Sequence, residues 1–176
     1  MNTVRVATYN IHKGVQGLGP ARRLEIHNLG HAVEQLDADI VCLQEVRSHH
    51  HKLKKRFVHW PEQAQADYLS PEGYEAVYRT NAFTRHGEHG NALLSRWPVL
   101  ASGHQDVSDH RFEQRGLLHA VVQLGTRPVH VVVVHLGLIH ASRERQVQRL
   151  GEFIAAEVPA GAPLIVAGDF NDWSAK

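Results

Sequence analysis

The sequence predicts an α/β fold in which strands and helices form packed layers. Seven short runs rich in β-branched residues are bounded by turn residues, which is typical of strands. They span residues 4–9, 39–44, 74–79, 91–95, 117–124, 129–136 and 163–168. The runs at 129–136 and 163–168 show little alternation of apolar and polar residues, which favours strands that are covered on both faces. Strands mixed with helices indicate a layered α/β or α+β architecture, and the strand order stays open at this point.

Two segments have the periodicity of helices. Apolar residues recur every three or four positions, at Leu29, Val33 and Leu36 in the first segment and at Val147, Leu150 and Ile154 in the second. Ser142 stands where an N-cap of the second helix is expected, and Pro159 predicts the end of that helix. The polar, glycine-containing stretches at 80–90 and 101–116 are predicted to be loops.

Length and composition are those of an ordinary globular protein. A chain of 176 residues is expected to form one domain, spanning residues 1–176. The net charge of +1 gives no global field that would recruit nucleic acid or a membrane. Cys42 is the single cysteine, so no disulfide can form within the chain. No segment has the length or apolarity of a signal peptide or a transmembrane helix, and a soluble cytoplasmic protein is expected.

Polar side chains follow four of the predicted strands at the point where each strand ends. These are Asn10, Glu45, His135, and the pair Asp169 and Asn171. If neighbouring strands share a direction, their ends meet at one edge of a sheet, where ligands bind in layered α/β folds. Singly, each residue has an ordinary explanation: a turn asparagine, a solvated glutamate, a core histidine, or an Asx turn. Their joint occurrence favours a functional site.

The residue types at these strand ends indicate a metal. Carboxylate and amide oxygens suit Mg²⁺, Mn²⁺ or Ca²⁺ and form a poor cage for zinc. Mg²⁺ commonly takes one or two carboxylates and keeps several waters and a substrate phosphate. Glu45 and Asn10 satisfy that sparse demand, so the expected cofactor is Mg²⁺, with Mn²⁺ as its alternative.

Five motifs resemble the endonuclease/exonuclease/phosphatase superfamily, which has a DNase I-like fold. They are TYNIHKG, LQEVR, GNALLSR, HLGL and GDFND, in this order, and they extend from residue 8 to residue 172. The resemblance implies a four-layer α/β sandwich and Mg²⁺-dependent hydrolysis of a phosphoester by in-line attack of water. The expected substrate is a phosphodiester of nucleic acid, of a phospholipid headgroup or of a small phosphoester.

The resemblance also implies a role for each residue at the strand ends. Glu45 resembles the principal metal ligand, and Asn10 resembles its neighbour in the metal and phosphate site. Asp169 resembles the residue that orients and deprotonates the attacking water. Asn171 resembles its phosphate-binding partner, and His135 resembles a histidine that hydrogen-bonds a phosphate oxygen.

Three further residues are candidates for contact with the substrate. Arg47 follows Glu45 by two positions and is similar to a family position that contacts phosphate. Asn91, in GNALLSR, and Arg115, in the loop before the next strand, are the other two. For Arg115, an ion pair with Glu113 is an equally good explanation.

The sequence departs from the family pattern at its C-terminal end. The pattern continues past GDFND to a further metal-binding aspartate and a Ser-Asp-His triplet, whereas this sequence ends at Lys176. The triplet at 108–110 lies upstream of both HLGL and GDFND, and it is interpreted as a chance match within a polar loop. The fold is therefore expected to be incomplete at the C-terminus, with little catalysis by these residues alone. The alternative function is a non-catalytic module that binds metal or a partner, and self-association through an exposed sheet edge is expected.

Overall fold

All seven predicted strands are present in the computed structural model, which describes residues 3–173. Within these residues there are ten strands: β1 (Val6–Asn10), β2 (Val15–Gln16), β3 (Arg23–Leu24), β4 (Ile40–Val46), β5 (Glu75–Thr84), β6 (Gly87–Ser95), β7 (Val99–Asp106), β8 (Gly116–Leu124), β9 (Arg127–His135) and β10 (Leu164–Asp169). There are also four α-helices: α1 (Ile26–Leu36), α2 (His51–Arg56), α3 (Gln65–Leu69) and α4 (His140–Glu157).

Both predicted helices are confirmed, as α1 and α4, and α4 ends before Pro159 as expected. The prediction that Ser142 caps α4 is wrong, because Ile139 precedes the first turn and Ser142 lies inside the helix. The Ser142 hydroxyl donates instead to Asp109 Oδ2 at 2.7 Å, which ties α4 to the loop at 107–115. The short helices α2 and α3 were not predicted, since each has too few turns for a periodic pattern.

Two four-stranded sheets form the centre of the molecule. The first has the order β1-β4-β6-β5, and the second has the order β10-β9-β8-β7. The pairs β1–β4 and β9–β10 are parallel, whereas the other pairs in these sheets are antiparallel. Strands β2 and β3 form a separate antiparallel ribbon. Each sheet therefore contains one parallel pair at one of its edges.

Alternation along the central strands builds four layers. On β4, Val41 and Leu43 pack with Val33 of α1 and Leu69 of α3. The intervening Cys42 faces the second sheet. The same division occurs on β9, where one set of valines faces the first sheet and the other set faces Leu150 of α4. The order of layers is therefore α1 and α3, first sheet, second sheet, and α4, which confirms the expected four-layer α/β sandwich.

Two stretches predicted as loops contain strand residues. Residues 80–90 form the tip of a hairpin between β5 and β6, and residues 101–106 belong to β7, whereas residues 107–115 are a loop as predicted. The prediction was wrong at 80–90 and at 101–106 for one physical reason. These strands lie at the edges of their sheets or extend past the core, so their side chains are polar and exposed while backbone hydrogen bonds hold the strand.

The expectation that β9 and β10 are covered on both faces is right for only one of them. Strand β9 is buried from Val129 to His135, because β8 and β10 flank it and both of its faces are packed. Strand β10 is only half-buried along its whole length. It pairs with β9 alone among the described residues, and β1 likewise pairs with β4 alone.

Asn91 joins the two sheets. It lies on β6 in the first sheet with no solvent exposure. Its Nδ2 donates to two backbone oxygens of the second sheet, Gly116 O at 2.9 Å and Val133 O at 3.2 Å. A buried polar side chain that is hydrogen-bonded across the sandwich fixes the relative position of the two sheets.

Replacing Asn91 with alanine should lower the free energy of unfolding by about 1–3 kcal/mol, because two buried carbonyl groups lose a donor. Urea denaturation measures the change. Asn28→Ala, at an exposed position of α1, is the matched control and should change the stability by less than about 0.5 kcal/mol. Equal effects of the two substitutions would contradict the bridging role of Asn91.

Candidate active site

The parallel strand pairs bring the predicted site residues together. In the first sheet, Asn10 at the end of β1 is in register with Gln44, the neighbour of Glu45 on β4. In the second sheet, Asp169 at the end of β10 is in register with His135 at the end of β9. Parallel strands end at the same edge, so each sheet contributes two side chains to one edge of the sandwich.

A hydrogen bond across the two sheets closes the site. Asn10 Nδ2 donates to Asp169 Oδ2 at 3.1 Å, and the Nε2 atom of His135 lies 3.8 Å from the same oxygen. The other carboxylate oxygen, Oδ1, accepts from the backbone N–H of Asn171 at 3.0 Å. The Asp169 carboxylate is thus held from two sides, and residues far apart in the sequence are in contact.

The glycine before Asp169 allows this arrangement. Gly168 has a φ of 154°, and a Cβ at this position would clash with the carbonyl oxygen of Val134 on β9. Any side chain at position 168 would therefore push β10 away from β9 and displace Asp169. This accounts for the residue type that opens the GDFND motif.

Asn10 and Asn171 each serve a structural role within the site. Asn10 Oδ1 accepts from the backbone N–H of His12 at 3.0 Å, which forms an Asx turn after β1. Asn171 is buried, with a φ of 49°, and its Nδ2 donates to the carbonyl of Leu136 at 2.8 Å. Asn10 therefore forms a turn with one side-chain atom and contacts Asp169 with the other, so its two interpretations are compatible.

Glu45 lies at an irregularity in β4. The pairing of β4 with β6 shifts register between Leu43 and Val46, and Glu45 within this bulge has a φ of 56°. A left-handed conformation at a non-glycine residue costs of order 1–3 kcal/mol and is common at functional sites. The bulge directs the Glu45 side chain to the edge where His135 and Lys13 lie.

The Glu45 carboxylate is paired with a lysine. Lys13 Nζ lies 2.9 Å from Glu45 Oε2, and the Glu45 side chain is mostly buried. Burial alone opposes ionisation of Glu45, but the hydrogen bond and charge of Lys13 outweigh it. The pKa of Glu45 is therefore held below its ordinary value. Glu45 is therefore ionised, and its carboxylate already binds one cation, the ammonium of Lys13.

His135 is neutral near pH 7. Burial lowers its pKa to about 4, and the nearby charge of Arg115 adds to the effect. Glu45 and Asp169 oppose this shift but do not overcome it. A neutral imidazole has one N–H donor, so His135 can hydrogen-bond an anionic oxygen without carrying a charge.

Arg47 is a buried cation with unused donors. Only 8% of its surface is exposed, and neither Nε nor Nη1 has a hydrogen-bond partner among the described residues. Burial, assisted by the charge of Arg22, lowers the pKa of Arg47 to about 10. Since a guanidinium can form five hydrogen bonds, the free donors are suited to an anion.

The other two candidates for substrate contact are held by the protein itself. Arg115 donates to Glu113 Oε1 and to Leu136 O, each at 3.1 Å, so the predicted ion pair with Glu113 is present. Asn91 lies between the sheets, as described above, with its Nδ2 bonded to backbone. Arg115 still lines a cavity of about 400 Å³ together with Glu45, whereas Asn91 is fully buried.

Two residues at the site were not among the predicted ones. Lys13 and His89 both line the cavity beside Glu45. Burial, with the charge of Lys13, lowers the pKa of His89 to about 4. Lys13 could have been found from the sequence, because it belongs to the TYNIHKG motif that also contains Asn10. No pattern in the sequence indicated His89, because this residue lies in the stretch at 80–90 that was predicted to be a loop.

Asp109 of the Ser-Asp-His triplet at 108–110 has a structural role. Asp109 accepts hydrogen bonds from Ser142 and from Arg145 on α4. The triplet therefore anchors the loop at 107–115 on α4.

Comparison with known proteins identifies the family. The sequence profile described as the Endonuclease/Exonuclease/phosphatase family matches residues 7–176. The chain belongs to that family. It is 40% identical over 175 residues to the uncharacterised protein YbhP of Escherichia coli strain K12, an alignment that covers 98% of this chain and 68% of YbhP.

Solved structures share the fold of this family member. An endonuclease/exonuclease/phosphatase family protein from Leptotrichia buccalis superposes with a TM-score of 0.71 at 16% identity, covering 97% of this chain and 69% of that one. Sphingomyelinase C from Streptomyces griseocarneus superposes with a TM-score of 0.70 at 19% identity, covering 98% and 65%. The chain thus spans about two thirds of the length of these relatives. None of the helices in its described part combines the length and apolarity needed to cross a bilayer.

Members of this family generally use divalent metals, and this chain offers such a metal a small number of oxygen ligands. Residues 3–173 contain no group of three His, Cys, Asp or Glu side chains placed to hold a metal ion. They do place the anionic Glu45 carboxylate against the ammonium of Lys13, close to the Asn10–Asp169 pair. One carboxylate and one amide oxygen match the protein ligands that Mg²⁺ takes when water and phosphate complete its coordination.

The stability of the protein should depend on pH through His135. The unfolded chain, with an ordinary pKa near 6.5, binds a proton more readily than the folded chain, with a pKa of about 4. The free energy of unfolding should therefore decrease as the pH falls from about 6.5 toward about 4, by up to ~1.4 kcal/mol per pH unit from this group. Urea denaturation across this range measures the slope.

In the variant His135→Gln, the free energy of unfolding should decrease less steeply between about pH 6.5 and 4. Between about pH 7 and 8 the wild type and the variant should show the same dependence on pH, because His135 is largely neutral there in both the folded and the unfolded chain. An NMR titration of the His135 ring gives an independent measurement. A midpoint near the ordinary histidine value would contradict the burial described here.

Proposed function

We propose that this site hydrolyses a phosphodiester by attack of water, with Mg²⁺ as cofactor and Mn²⁺ as its substitute. The observation that carries the proposal is the convergence of Asn10, His135 and Asp169 from two sheets, beside the buried anion Glu45. Family membership supports a phosphoester-hydrolysing role. Similar solved structures include a sphingomyelinase C and a mannosyl-6-phosphatase.

Glu45 and Asn10 are the residues that would hold the metal. When bound there, Mg²⁺ would supply positive charge to offset the negative charge of the phosphate. Lys13 already offsets part of the charge of Glu45 in the protein itself.

Asp169 is the proposed base. Its Oδ1 accepts one hydrogen bond from Asn171 and its Oδ2 accepts one from Asn10, so the carboxylate has a fixed orientation. Each oxygen keeps a lone pair that can accept a proton from a water molecule. A base that is already positioned avoids the entropic cost of ordering it during the reaction.

Three cationic or donor groups are suited to the phosphate oxygens. Neutral His135 offers one N–H, and the buried Arg47 offers free N–H groups. Lys13 adds a positive charge at the opening of the cavity. Asn171 and Arg115 have supporting roles. The backbone N–H of Asn171 orients the proposed base Asp169, and Arg115 donates to the carbonyl of Leu136, the residue after His135.

Removing one member of the site should abolish most of the activity. Asp169→Asn should lower the rate of diester hydrolysis by ~10²–10³. Glu45→Gln should have a similar effect and should also weaken Mn²⁺ binding, which electron paramagnetic resonance measures without any turnover. Glu144→Gln, an exposed position on α4, is the matched control and should leave both properties unchanged.

The assay uses bis(4-nitrophenyl) phosphate in Mg²⁺, Mn²⁺ and EDTA. It is run on this chain and on a version extended past Lys176 with sequence from YbhP. Activity that survives both EDTA and Asp169→Asn would contradict the mechanism. Equal activity of the two versions would contradict the expectation that this chain alone has little catalysis.

A second proposal concerns partners. The parallel edge strands β1 and β10 each pair on one side only within residues 3–173, and β10 is half-buried. Unpaired strand edges are ready templates for another strand. We infer that two copies of the chain associate through the edge formed by β1.

A charge placed on that edge should prevent the association. Tyr9 on β1 is 48% exposed, and Tyr9→Lys should shift the chain toward the monomer in light scattering coupled to size-exclusion chromatography. Leu36→Lys, at the end of α1 and 45% exposed, is the control and should leave the distribution unchanged. A wild-type chain that is monomeric at all concentrations would contradict the proposal.

A further inference from the structure

Three segments around the cavity are joined by hydrogen bonds from one loop. Gln114 Oε1 accepts from the backbone N–H of Phe83, at the tip of the β5–β6 hairpin, at 3.1 Å. The neighbouring Glu113 Oε1 accepts from the backbone N–H of Leu138, after β9, also at 3.1 Å. The loop at 107–115 therefore holds the hairpin tip and the start of α4 in one connected wall.

This wall exposes apolar side chains. Phe83 is 72% exposed, Phe112 is 82% exposed, and Leu138 is 65% exposed. We call these three residues the apolar rim. Large exposed apolar side chains near a cavity are typical of interaction sites, because leaving them in water is unfavourable. The apolar rim is therefore a candidate contact surface.

The apolar rim borders the candidate active site. Phe83 and Phe112 line the same cavity of about 400 Å³ that contains Lys13 and Glu45. Leu138 is three residues past His135 and is joined to the cavity wall through Glu113. A surface that docks on the apolar rim would therefore be presented to the site.

Exposed arginines flank both phenylalanines of the apolar rim. The segments 82–87, 110–112 and 137–140 contain no aspartate or glutamate, but they contain Arg85 and Arg111. Arg111 lies over the ring of Phe112, with its guanidinium carbon 4.7 Å from the ring centre. The adjacent carboxylate of Glu113 is paired with Arg115. The two phenylalanines of the rim thus lie beside the exposed cations Arg85 and Arg111.

We propose that the apolar rim docks on the surface of a bilayer containing anionic phospholipids and presents a lipid phosphodiester to the site. Apolar side chains mixed with arginines are typical of segments that lie in the interface of anionic membranes. Single-stranded nucleic acid would be held by stacking on aromatic faces, and Leu138 offers none. The assignment of a lipid substrate rests on the proposed phosphodiesterase function, whereas the docking does not.

Co-sedimentation with vesicles tests the docking without any turnover. The wild-type chain should bind vesicles that contain phosphatidylglycerol, bind vesicles of phosphatidylcholine alone much less, and lose binding as salt is raised. The double variant Phe83→Ala/Phe112→Ala should bind the anionic vesicles at least about tenfold more weakly. Leu100→Ala is the control, since Leu100 is 57% exposed at the far end of β7, and it should bind as the wild type does.

A second pair of substitutions separates lipid from nucleic acid. Phe83→Leu/Phe112→Leu keeps apolar side chains but removes the aromatic faces, so it should retain vesicle binding. Absence of vesicle binding by the wild type, or binding that the alanine variant leaves unchanged, would overturn the proposal. Binding to a single-stranded oligonucleotide that both double variants lose, without vesicle binding, would assign the apolar rim to nucleobases instead.

The two proposals fail in different ways. If the chain docks on vesicles but shows no Mg²⁺-dependent hydrolysis in the extended version, only the catalytic proposal is wrong. If hydrolysis of the soluble diester is present and vesicle binding is not, only the docking is wrong.

Discussion

The candidate site depends on one topological constraint, the parallel pairing of β1 with β4 and of β9 with β10. These pairs place four strand ends at one edge of the sandwich, and the hydrogen bond from Asn10 to Asp169 joins the two sheets there. The layers behind the site keep it in place, because Asn91 bridges the sheets and alternating residues pack the central strands β4 and β9 on both faces. A rigid scaffold of this kind holds reactive groups more precisely than loops do.

Burial and neighbouring charges together determine the charge of each group at this edge. Burial keeps His135 neutral, and it leaves Arg47 as a cation with free donors, while Lys13 keeps Glu45 ionised against the same effect. The left-handed conformation of Glu45 shows that the fold accepts local strain to direct this carboxylate. Buried charged groups that lack some of their hydrogen-bond partners are suited to binding ions of opposite charge, because little water has to be displaced from them.

The sequence predicted the strands that form most of the core and the strand-end residues that the structure brings together, and it failed where side chains carry no pattern. Apolar runs that end in Asn10, Glu45, His135 and Asp169 identified both the strands and the residues at their ends. Strand β7 and the β5–β6 hairpin tip were missed because backbone pairing holds them while their side chains are polar. His89 was missed with them, and the burial of Asn91 depends on a contact between sheets that no local pattern encodes.

Paramagnetic NMR tests the central claim, the gathering of these residues at one place, most directly. Mn²⁺ added to the labelled wild-type chain should broaden the signals of Asn10, His135, Asp169 and Asn171 together, and Glu45→Gln should remove the effect on all four. Broadening of these signals that persists in Glu45→Gln, or broadening that spares the residues of the second sheet, would contradict the claim that the four strand ends form a single site.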